Sequence, residues 1–237
     1  MPWPRPALHH SNAPARAREG ARSTVSVIGI YGAGKVGTAL ARLLNDAGYE
    51  VRMTGSARQT ALELLVGVVA PGATVASAEE LAETADLVII AVPFGKAQTV
   101  PWALFGGKIV VDAMNYWPPV DGNIQAVDAD PRSTSEIHAA LNPGARLVKS
   151  LNHLGYHDME DDALPAGSIL RRALAVAGDD AEARAAVAEI IDAIGFDPVD
   201  AGPLAAGRVL EPGGPVFGRE LSRGELEGIV AGRGLAA

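Results

Sequence analysis

Three glycines placed between a strand pattern and a helix pattern constrain this chain more than any other feature. Residues 25–30 form a β-branched run that predicts a buried strand, and the apolar spacing of residues 36–47 predicts an amphipathic helix. Gly32, Gly34 and Gly37 follow the strand in the order G-x-G-x-x-G. In such a turn the first glycine permits the sharp bend, the second lets a pyrophosphate approach the backbone, and the third lets helix and strand pack closely. The pattern therefore favours a dinucleotide-binding unit over a merely structural glycine-rich turn.

The end of the second predicted strand indicates which dinucleotide would bind. NAD-specific sites carry an acidic residue about 20 residues beyond the glycine motif, where it binds the ribose 2′-hydroxyl. Here Thr54, Ser56 and Arg58 occupy that position, and residues 54–58 contain no carboxylate. Hydroxyl and guanidinium groups suit a 2′-phosphate, which favours NADP(H) over NAD(H). The alternative is that Ser56 caps the next helix and that Arg58 is simply solvated.

The order of the predicted elements defines the fold class. Residues 85–92 are an almost continuous apolar run, as expected for a central strand buried on both faces, and residues 108–112 predict another buried strand. Helices are predicted near residues 95–104 and 133–141, and a last strand–helix–strand unit spans residues 173–200. This alternation predicts an α/β fold, with a Rossmann-type, doubly wound and mostly parallel sheet and a small C-terminal portion.

Two local patterns refine the prediction. Ser77 with Glu80 three residues later has the spacing of a capping box, which predicts a short helix starting there. From Gly202 on the chain is rich in glycine and proline, so we expect a loop and a short helix that packs on the domain or on a second subunit.

Composition excludes several function classes. The 237 residues contain 20 Lys and Arg against 28 Asp and Glu, a net charge of −8, which argues against nucleic acid or anionic membranes as partners. No cysteine is present, so any redox chemistry must come from a bound cofactor. No apolar run reaches the length of a membrane span. We expect a soluble, cytoplasmic protein with a small-molecule substrate, whose residues 1–23 form a disordered extension or, alternatively, an Arg-rich transit peptide.

Six segments, taken in order, resemble the NADPH-dependent reductases of coenzyme F420, also called F420-dependent NADP oxidoreductases. The resemblance extends over roughly residues 24–215, and the ordered series is far more specific than any one piece. The segments are residues 27–37, 54–58, 90–93, 110–115, 148–152 and 196–203.

The resemblance implies a hydride transfer between NADP(H) and a deazaflavin of the F420 type. It implies an NADP-binding domain at residues 24–150, and a C-terminal portion at residues 151–237 that binds the acceptor and forms a homodimer. Two alternatives stay open. One is a reductase of another acceptor, such as a flavin, an imine or a ketone, and the other is a non-catalytic NADP(H)-sensing module.

The resemblance also implies roles for individual residues. The pyrophosphate would be lined by Gly32, Ala33, Gly34, Lys35 and Val36, beside the closely packed Gly37. The path from adenosine to nicotinamide would be edged by Val92, Pro93 and Phe94. Asn115 and Asn152 would lie near the nicotinamide and the acceptor. Tyr31, residues 115–122, His153 and His157 depart from the family pattern, which leaves the acceptor open.

Hydride transfer between two bound rings needs proximity and exclusion of water rather than a protein nucleophile. His153 is the best candidate if a proton must be delivered, with orientation of a loop as its alternative role. His153 and His157 also have the spacing of metal ligands on one helical face, but Gly155 weakens a helix there, so we expect no metal. Tyr116 and Trp117 would stack on a flavin-like ring or form an ordinary packed loop.

Overall fold

A computed structural model of the chain describes residues 25–233. These residues form one eight-stranded sheet in the order β3-β2-β1-β4-β5-β6-β7-β8. All neighbouring strands are parallel except β6 and β7, which run antiparallel. The strands are β1 Val27–Tyr31, β2 Glu50–Thr54, β3 Thr74–Val75, β4 Leu87–Ile90, β5 Ile109–Asp112, β6 Arg146–Lys149, β7 Ala173–Gly178 and β8 Asp197–Gly202.

Eight α-helices and three 3₁₀ helices connect the strands within the described residues. The α-helices are α1 Lys35–Asp46, α2 Gln59–Val69, α3 Ala78–Thr84, α4 Pro118–Asp121, α5 Gln125–Asp128, α6 Thr134–Leu141, α7 Ala181–Ala193 and α8 Arg223–Val230. The 3₁₀ helices are Phe94–Thr99, Trp102–Phe105 and Leu204–Leu210. No helix between residues 25 and 233 is long and apolar enough to cross a membrane.

The Rossmann-type fold class is confirmed. The first six strands have the order 3-2-1-4-5-6, in which the chain reverses direction across the sheet between β1 and β4. Along β4, Leu87 and Ile89 pack into the core on one face of the sheet, while Val88 and Ile90 pack into the core on the other. This double burial explains why residues 85–92 read as a continuous apolar run. The last two strands extend the same sheet, and α8 packs against them over a third apolar cluster.

The predicted helix at residues 95–104 is wrong in type. Two 3₁₀ helices occupy this region, and Pro101 separates them. Proline restricts the residue before it to extended backbone, and Val100 adopts φ −71° and ψ 128° accordingly. Proline also has no N–H group, so a continuous helix would lack a hydrogen bond at this point.

The predicted capping box at Ser77 is present, and the structure adds a second one at α6. Ser77 Oγ accepts the N–H of Glu80, while a Glu80 carboxylate oxygen accepts the N–H of Ser77, which together complete a capping box at α3. Ser133 and Glu136 form the same arrangement at α6. These local patterns fix where each helix begins, and α6 in turn borders the site described next.

Candidate functional site

The glycine turn lies where the strand order reverses, at the carboxyl ends of β1 and β4. In open α/β sheets, ligands bind in the crevice at this point. Gly32 adopts φ 132°, and its N–H donates to the carbonyl of Thr54 at 2.9 Å. A Cβ atom at Gly32 would lie 2.3 Å from the carbonyl oxygen of Ala91, and one at Gly37 would lie 1.9 Å from that of Gly32. The protein itself therefore requires the first and third glycines.

Gly34 differs from the other two glycines, because a Cβ atom there would meet no protein atom within 4 Å. It is the N-cap of α1, and no side chain caps this helix. The first N–H groups of α1 and the positive end of its dipole therefore face open space, which is the arrangement that binds phosphate. The need for glycine at this position points to a ligand rather than to packing.

A cavity of about 340 Å³ lies between the residues that follow β2 and those that follow β4. It brings together six of the predicted cofactor-binding residues, which are Gly32, Ala33, Gly34, Ser56, Val92 and Pro93. Tyr31, Leu65, Lys96 and Thr99 also line it, and the sequence analysis did not assign them to the cofactor. The cavity has the position and size for the adenosine end of a dinucleotide.

Two predicted residues lie beside this cavity rather than in its wall. Thr54 is buried, and its carbonyl holds the glycine turn through Gly32. Arg58 is the exposed N-cap residue of α2, and its guanidinium has no hydrogen bond or ion pair with residues 25–233. Ser56 does not cap α2. The alternative capping role of Ser56 is therefore wrong, and no side chain within residues 25–233 competes with a phosphate for Arg58.

A larger cavity of about 510 Å³ continues from the same turn toward β5. Both cavities share Gly34, Val92 and Pro93, so a dinucleotide can extend from one into the other across the helix N-terminus. Five further residues that the sequence analysis assigned to the cofactor or the acceptor line the larger cavity, and these are Lys35, Val36, Phe94, Asn115 and Trp117. Tyr156 and Asp121 complete the polar part of the wall.

Asn115 and Asn152 hold each other in place. Asn115 Nδ2 donates to the carbonyl of Asn152 at 2.6 Å, and Asn152 Nδ2 donates to Asn115 Oδ1 at 2.9 Å. Asn152 also donates to the carbonyl of Leu210 at 2.7 Å. Asn152 is buried, whereas Asn115 lines the larger cavity. The structure thus brings these two predicted residues together, with Asn115 in front and Asn152 supporting it.

His153 extends this chain of hydrogen bonds into the core. Its Nε2 accepts the N–H of Ala175 at 3.1 Å, so in the neutral ring the hydrogen resides on Nδ1, which lies 3.3 Å from Asn152 Oδ1. Burial, followed by the charges of Lys149 and Arg172, lowers the pKa of His153 to about 3. His153 lies behind the cavity wall, and its geometry favours a role in orienting Asn152.

A buried ion pair fixes the backbone just before Asn115. Asp112 and Lys149 are both fully buried, with Lys149 Nζ 3.7 Å from Asp112 Oδ1. Asp112 accepts the N–H of Met114 at 3.0 Å, and Lys149 donates to the carbonyl of Met114 at 2.5 Å. Both polar groups of Met114 are therefore bound by charged side chains, which limits the rotation of Asn115.

Burial alone would raise the pKa of Asp112. The charge of Lys149 and hydrogen bonds from His138 and Ser135 instead hold the pKa of that carboxyl well below its usual range. Ser135 Oγ donates to Asp112 Oδ2 at 2.6 Å, and His138 Nδ1 lies 3.3 Å from the same oxygen. Asp112 is therefore an ionised, hydrogen-bonded anchor in the core.

Leu151 has the one positive φ angle among the non-glycine residues from 25 to 233, at 62°. This left-handed conformation is uncommon for a side chain with a Cβ atom and costs about 1–3 kcal/mol. Leu151 is buried between Lys149 and Asn152, which the surrounding hydrogen bonds hold in place. The strain lies at the point where the chain turns to bring Asn152 behind Asn115.

The aromatic residues after β5 separate into two roles. Trp117 lines the larger cavity and stacks on Phe217, with ring centroids 6.1 Å apart. Tyr116 contacts Phe94, while its hydroxyl donates to Asp128 and accepts the N–H of Ile124. Tyr116 is thus part of a packed loop, and Trp117 alone of the two lines the cavity.

Lys35 and Tyr156 form a pair that the sequence pattern did not reveal. Lys35 Nζ donates to the Tyr156 hydroxyl at 3.1 Å and lies 5.0 Å from the centroid of its ring. The two residues are 121 positions apart. Their pairing places a hydroxyl group and an ammonium group together in the wall of the larger cavity. No cluster of three or more His, Asp or Glu side chains within residues 25–233 is arranged to hold a metal.

The fold and this crevice define a Rossmann-type dinucleotide-binding protein. Residues 27–116 match the family described as NADP oxidoreductase, coenzyme F420-dependent, so this part of the chain is similar to that family. The resemblance stated above is thereby confirmed, and the match supports the class of NADP-dependent oxidoreductase.

Individual relatives agree with this assignment. The metalloreductase STEAP3 of Rattus norvegicus is 30% identical over 187 residues, which cover 78% of this chain and 35% of the relative, so the chain spans about a third of that protein. A crystal structure of a hypothetical protein from Sinorhizobium meliloti is 29% identical, with a TM-score of 0.69, and covers 84% of this chain and 96% of its own. A crystal structure described as a candidate F420-dependent NADP-reductase from Arthrobacter sp. FB24 is 28% identical, with a TM-score of 0.65. The match covers 83% of this chain and 99% of that protein.

The space around Gly34 predicts that folding and nucleotide binding can be separated. Gly34→Val should fold with a stability within about 1 kcal/mol of the wild type, because the new side chain meets no neighbour and only the cap is weakened. The same side chain would occupy the position of the pyrophosphate, so NADPH binding should be lost in calorimetric titration. Gly37→Val is the matched control, which should fail to fold. Wild-type NADPH affinity in Gly34→Val would show that the turn is structural only.

The buried position of His153 predicts a dependence of stability on pH. The folded state has a pKa of about 3 for this group, below the value of about 6.5 in an unfolded chain. Between these values the unfolded chain binds a proton that the folded chain does not, so stability falls as the pH decreases, by up to about 1.4 kcal/mol per pH unit.

His153→Gln should flatten this dependence between pH 6.5 and 4, measured by denaturant unfolding at each pH. The exposed His157→Gln is the control and should retain the wild-type slope. An equal slope for His153→Gln and the wild type would contradict a buried neutral imidazole.

Proposed function

We propose that this protein transfers a hydride between NADP(H) and a deazaflavin of the F420 type. The observation that carries the proposal is the larger cavity, which continues from the helix N-terminus of the glycine turn and is about 510 Å³ in volume. Its wall is mostly apolar and includes Phe94 and Trp117, which suit a flat ring. The family match and the Arthrobacter relative support the same acceptor.

The residues of the crevice would bind and orient the nucleotide. Gly34 and the N-terminus of α1 would hold the pyrophosphate, and Ser56 and Arg58 would bind the 2′-phosphate. Lys96 lines the opposite side of the adenosine cavity and adds a second positive charge. This set of polar and positive groups, without a carboxylate beside the ribose, supports NADP(H) over NAD(H).

The residues of the larger cavity would hold the reacting rings. After pairing with Asn152, the Asn115 side chain still has one amide hydrogen to donate and one lone pair on Oδ1 to accept a hydrogen bond. It can therefore bind a carboxamide in one fixed orientation. Bound NADPH would supply the hydride. Phe94 and Trp117 would exclude water and keep the two rings at reacting distance.

The assignment of the acceptor to the C-terminal portion, residues 151–237, rests on Tyr156 and on the support that Asn152 gives to Asn115. We infer a homodimer from the family resemblance, with the N-terminal domain ending near residue 150. His153 was the candidate proton donor, but its ring is buried behind Asn152, and we infer that it acts as a positioning residue instead.

The Lys35–Tyr156 pair supports a second candidate function. Reduction of a ketone or an imine needs a proton as well as a hydride, and a hydroxyl bound to an ammonium group can supply it. Among the described residues of this cavity, Tyr156 carries the sole hydroxyl side chain. The carboxylate of Asp121 instead accepts the N–H groups of Gly95 and Trp117, which assigns it to the loop.

Anaerobic mixing with oxidised F420 tests the proposal directly. We expect NADPH to bleach the visible absorbance of the deazaflavin rapidly. NADH in place of NADPH, or FMN in place of F420, should give little reaction. Consumption of NADPH with a ketone or an imine, but not with F420, would establish the second candidate. Binding of NADPH without turnover with any of these acceptors would contradict both and leave a sensing module.

The 2′-phosphate assignment has its own test. Arg58→Ala should weaken NADPH binding by about 10- to 100-fold, because a hydrogen bond to a charged group contributes about 1.5–3 kcal/mol, and should leave NADH unchanged. Arg52→Ala is the matched control, since Arg52 pairs with Glu50 outside the cavity. An unchanged preference in Arg58→Ala would refute the assignment, and a larger loss in Lys96→Ala would move the phosphate to the opposite wall.

A further inference from the structure

A separate cavity of about 360 Å³ lies beside the 3₁₀ helix that follows β4. It shares Phe94 with the larger cavity, and its other walls come from the two 3₁₀ helices after β4, from α5 and α6, and from residues next to these helices. Its volume is within the range of about 300–1,000 Å³ found for small-molecule sites. The wall is mainly apolar and includes Phe94, Trp102, Ile124, Val127 and Ile137, together with His138. The proposed hydride transfer uses none of these residues except Phe94.

His138 is held rigidly in this wall. Its side chain is 7% exposed, and Nδ1 lies 3.3 Å from Asp112 Oδ2. The ring stacks on Phe94, with centroids 5.1 Å apart and planes at 25°, and lies 5.3 Å from the ring of Trp102. A rigid imidazole between two aromatic rings forms a flat surface with one fixed polar edge.

The hydrogen bond to Asp112 determines what that edge presents. Asp112 is ionised and can only accept, so Nδ1 of His138 must carry the hydrogen. In the neutral ring, Nε2 is therefore a bare acceptor. Nε2 has no hydrogen-bond partner among residues 25–233, although the ring forms part of the cavity wall. Nε2 is not among the buried side-chain polar atoms that lack a partner in residues 25–233, so it is accessible from the cavity, where a ligand can donate a hydrogen bond to it.

We propose that this cavity binds a small flat aromatic molecule that carries one N–H or O–H donor, with the donor directed at His138 Nε2. The apolar walls would contact the ring faces, and the imidazole would fix the orientation. A ligand of this kind would replace water at Nε2 and would also remove the apolar walls from water.

Indole and benzofuran form a matched pair of probes, because they have nearly the same shape and only indole has an N–H donor. Calorimetric titration of the full chain should show one indole per chain, with benzofuran about tenfold weaker, as expected for one hydrogen bond. In His138→Phe the flat wall remains but the acceptor is gone, so the two probes should bind with equal affinity. If the wild type binds indole and benzofuran with equal affinity, or binds neither probe, the proposal is overturned.

A second pair of variants locates the site and does not depend on His138. Ala126 is exposed on α5 and lines the cavity, so Ala126→Trp should block it and abolish indole binding without disturbing the core. Ala129 is exposed at the end of the same helix and lies outside the wall, so Ala129→Trp should bind indole like the wild type. Indole binding that survives in Ala126→Trp would place the probe elsewhere and refute this site.

Discussion

The buried pair of Asp112 and Lys149 is the interaction on which both sites depend. The two side chains come from the carboxyl ends of neighbouring strands and are fully removed from water. Such a pair is costly to bury and adds little to stability compared with apolar residues of the same size. Its contribution here is positional, because the two charges bind both polar groups of Met114 and so fix the next residue, Asn115. The same carboxylate also orients His138 in the adjacent cavity.

The glycine turn shows how one local sequence can serve folding and binding with different residues. Gly32 and Gly37 are required by neighbouring carbonyl oxygens that a Cβ atom would meet. Gly34 meets nothing in the protein, so the folded chain has no use for a glycine there apart from the cap. In this motif, packing therefore requires glycine at two positions and leaves the third open to a ligand. The sequence motif predicts this division, and the neighbouring atoms show which two positions are tightly packed.

The parts of the fold that depend on local patterns could be predicted from the sequence. The strands, the glycine turn and the Ser77 capping box follow from residues within a few positions of one another. The prediction of one helix at residues 95–104 was wrong, because Pro101 divides this stretch into two 3₁₀ helices. The parts of the site that depend on distant contacts were beyond such patterns. Lys35 meets Tyr156 across 121 positions, and no periodicity connects them.

His153 illustrates why residue type alone misleads about chemistry. A histidine that follows a strand end is a natural candidate for proton transfer, since its ordinary pKa lies near neutrality. The fold instead uses Nε2 to accept the N–H of Ala175 and removes the ring from water, so the ring stays neutral. Tyr156, which the sequence analysis did not single out, is the group that combines a hydroxyl, a charged partner and contact with the cavity. If the proposed hydride transfer takes place in this cavity, Tyr156 is the described group best placed to donate a proton to the acceptor.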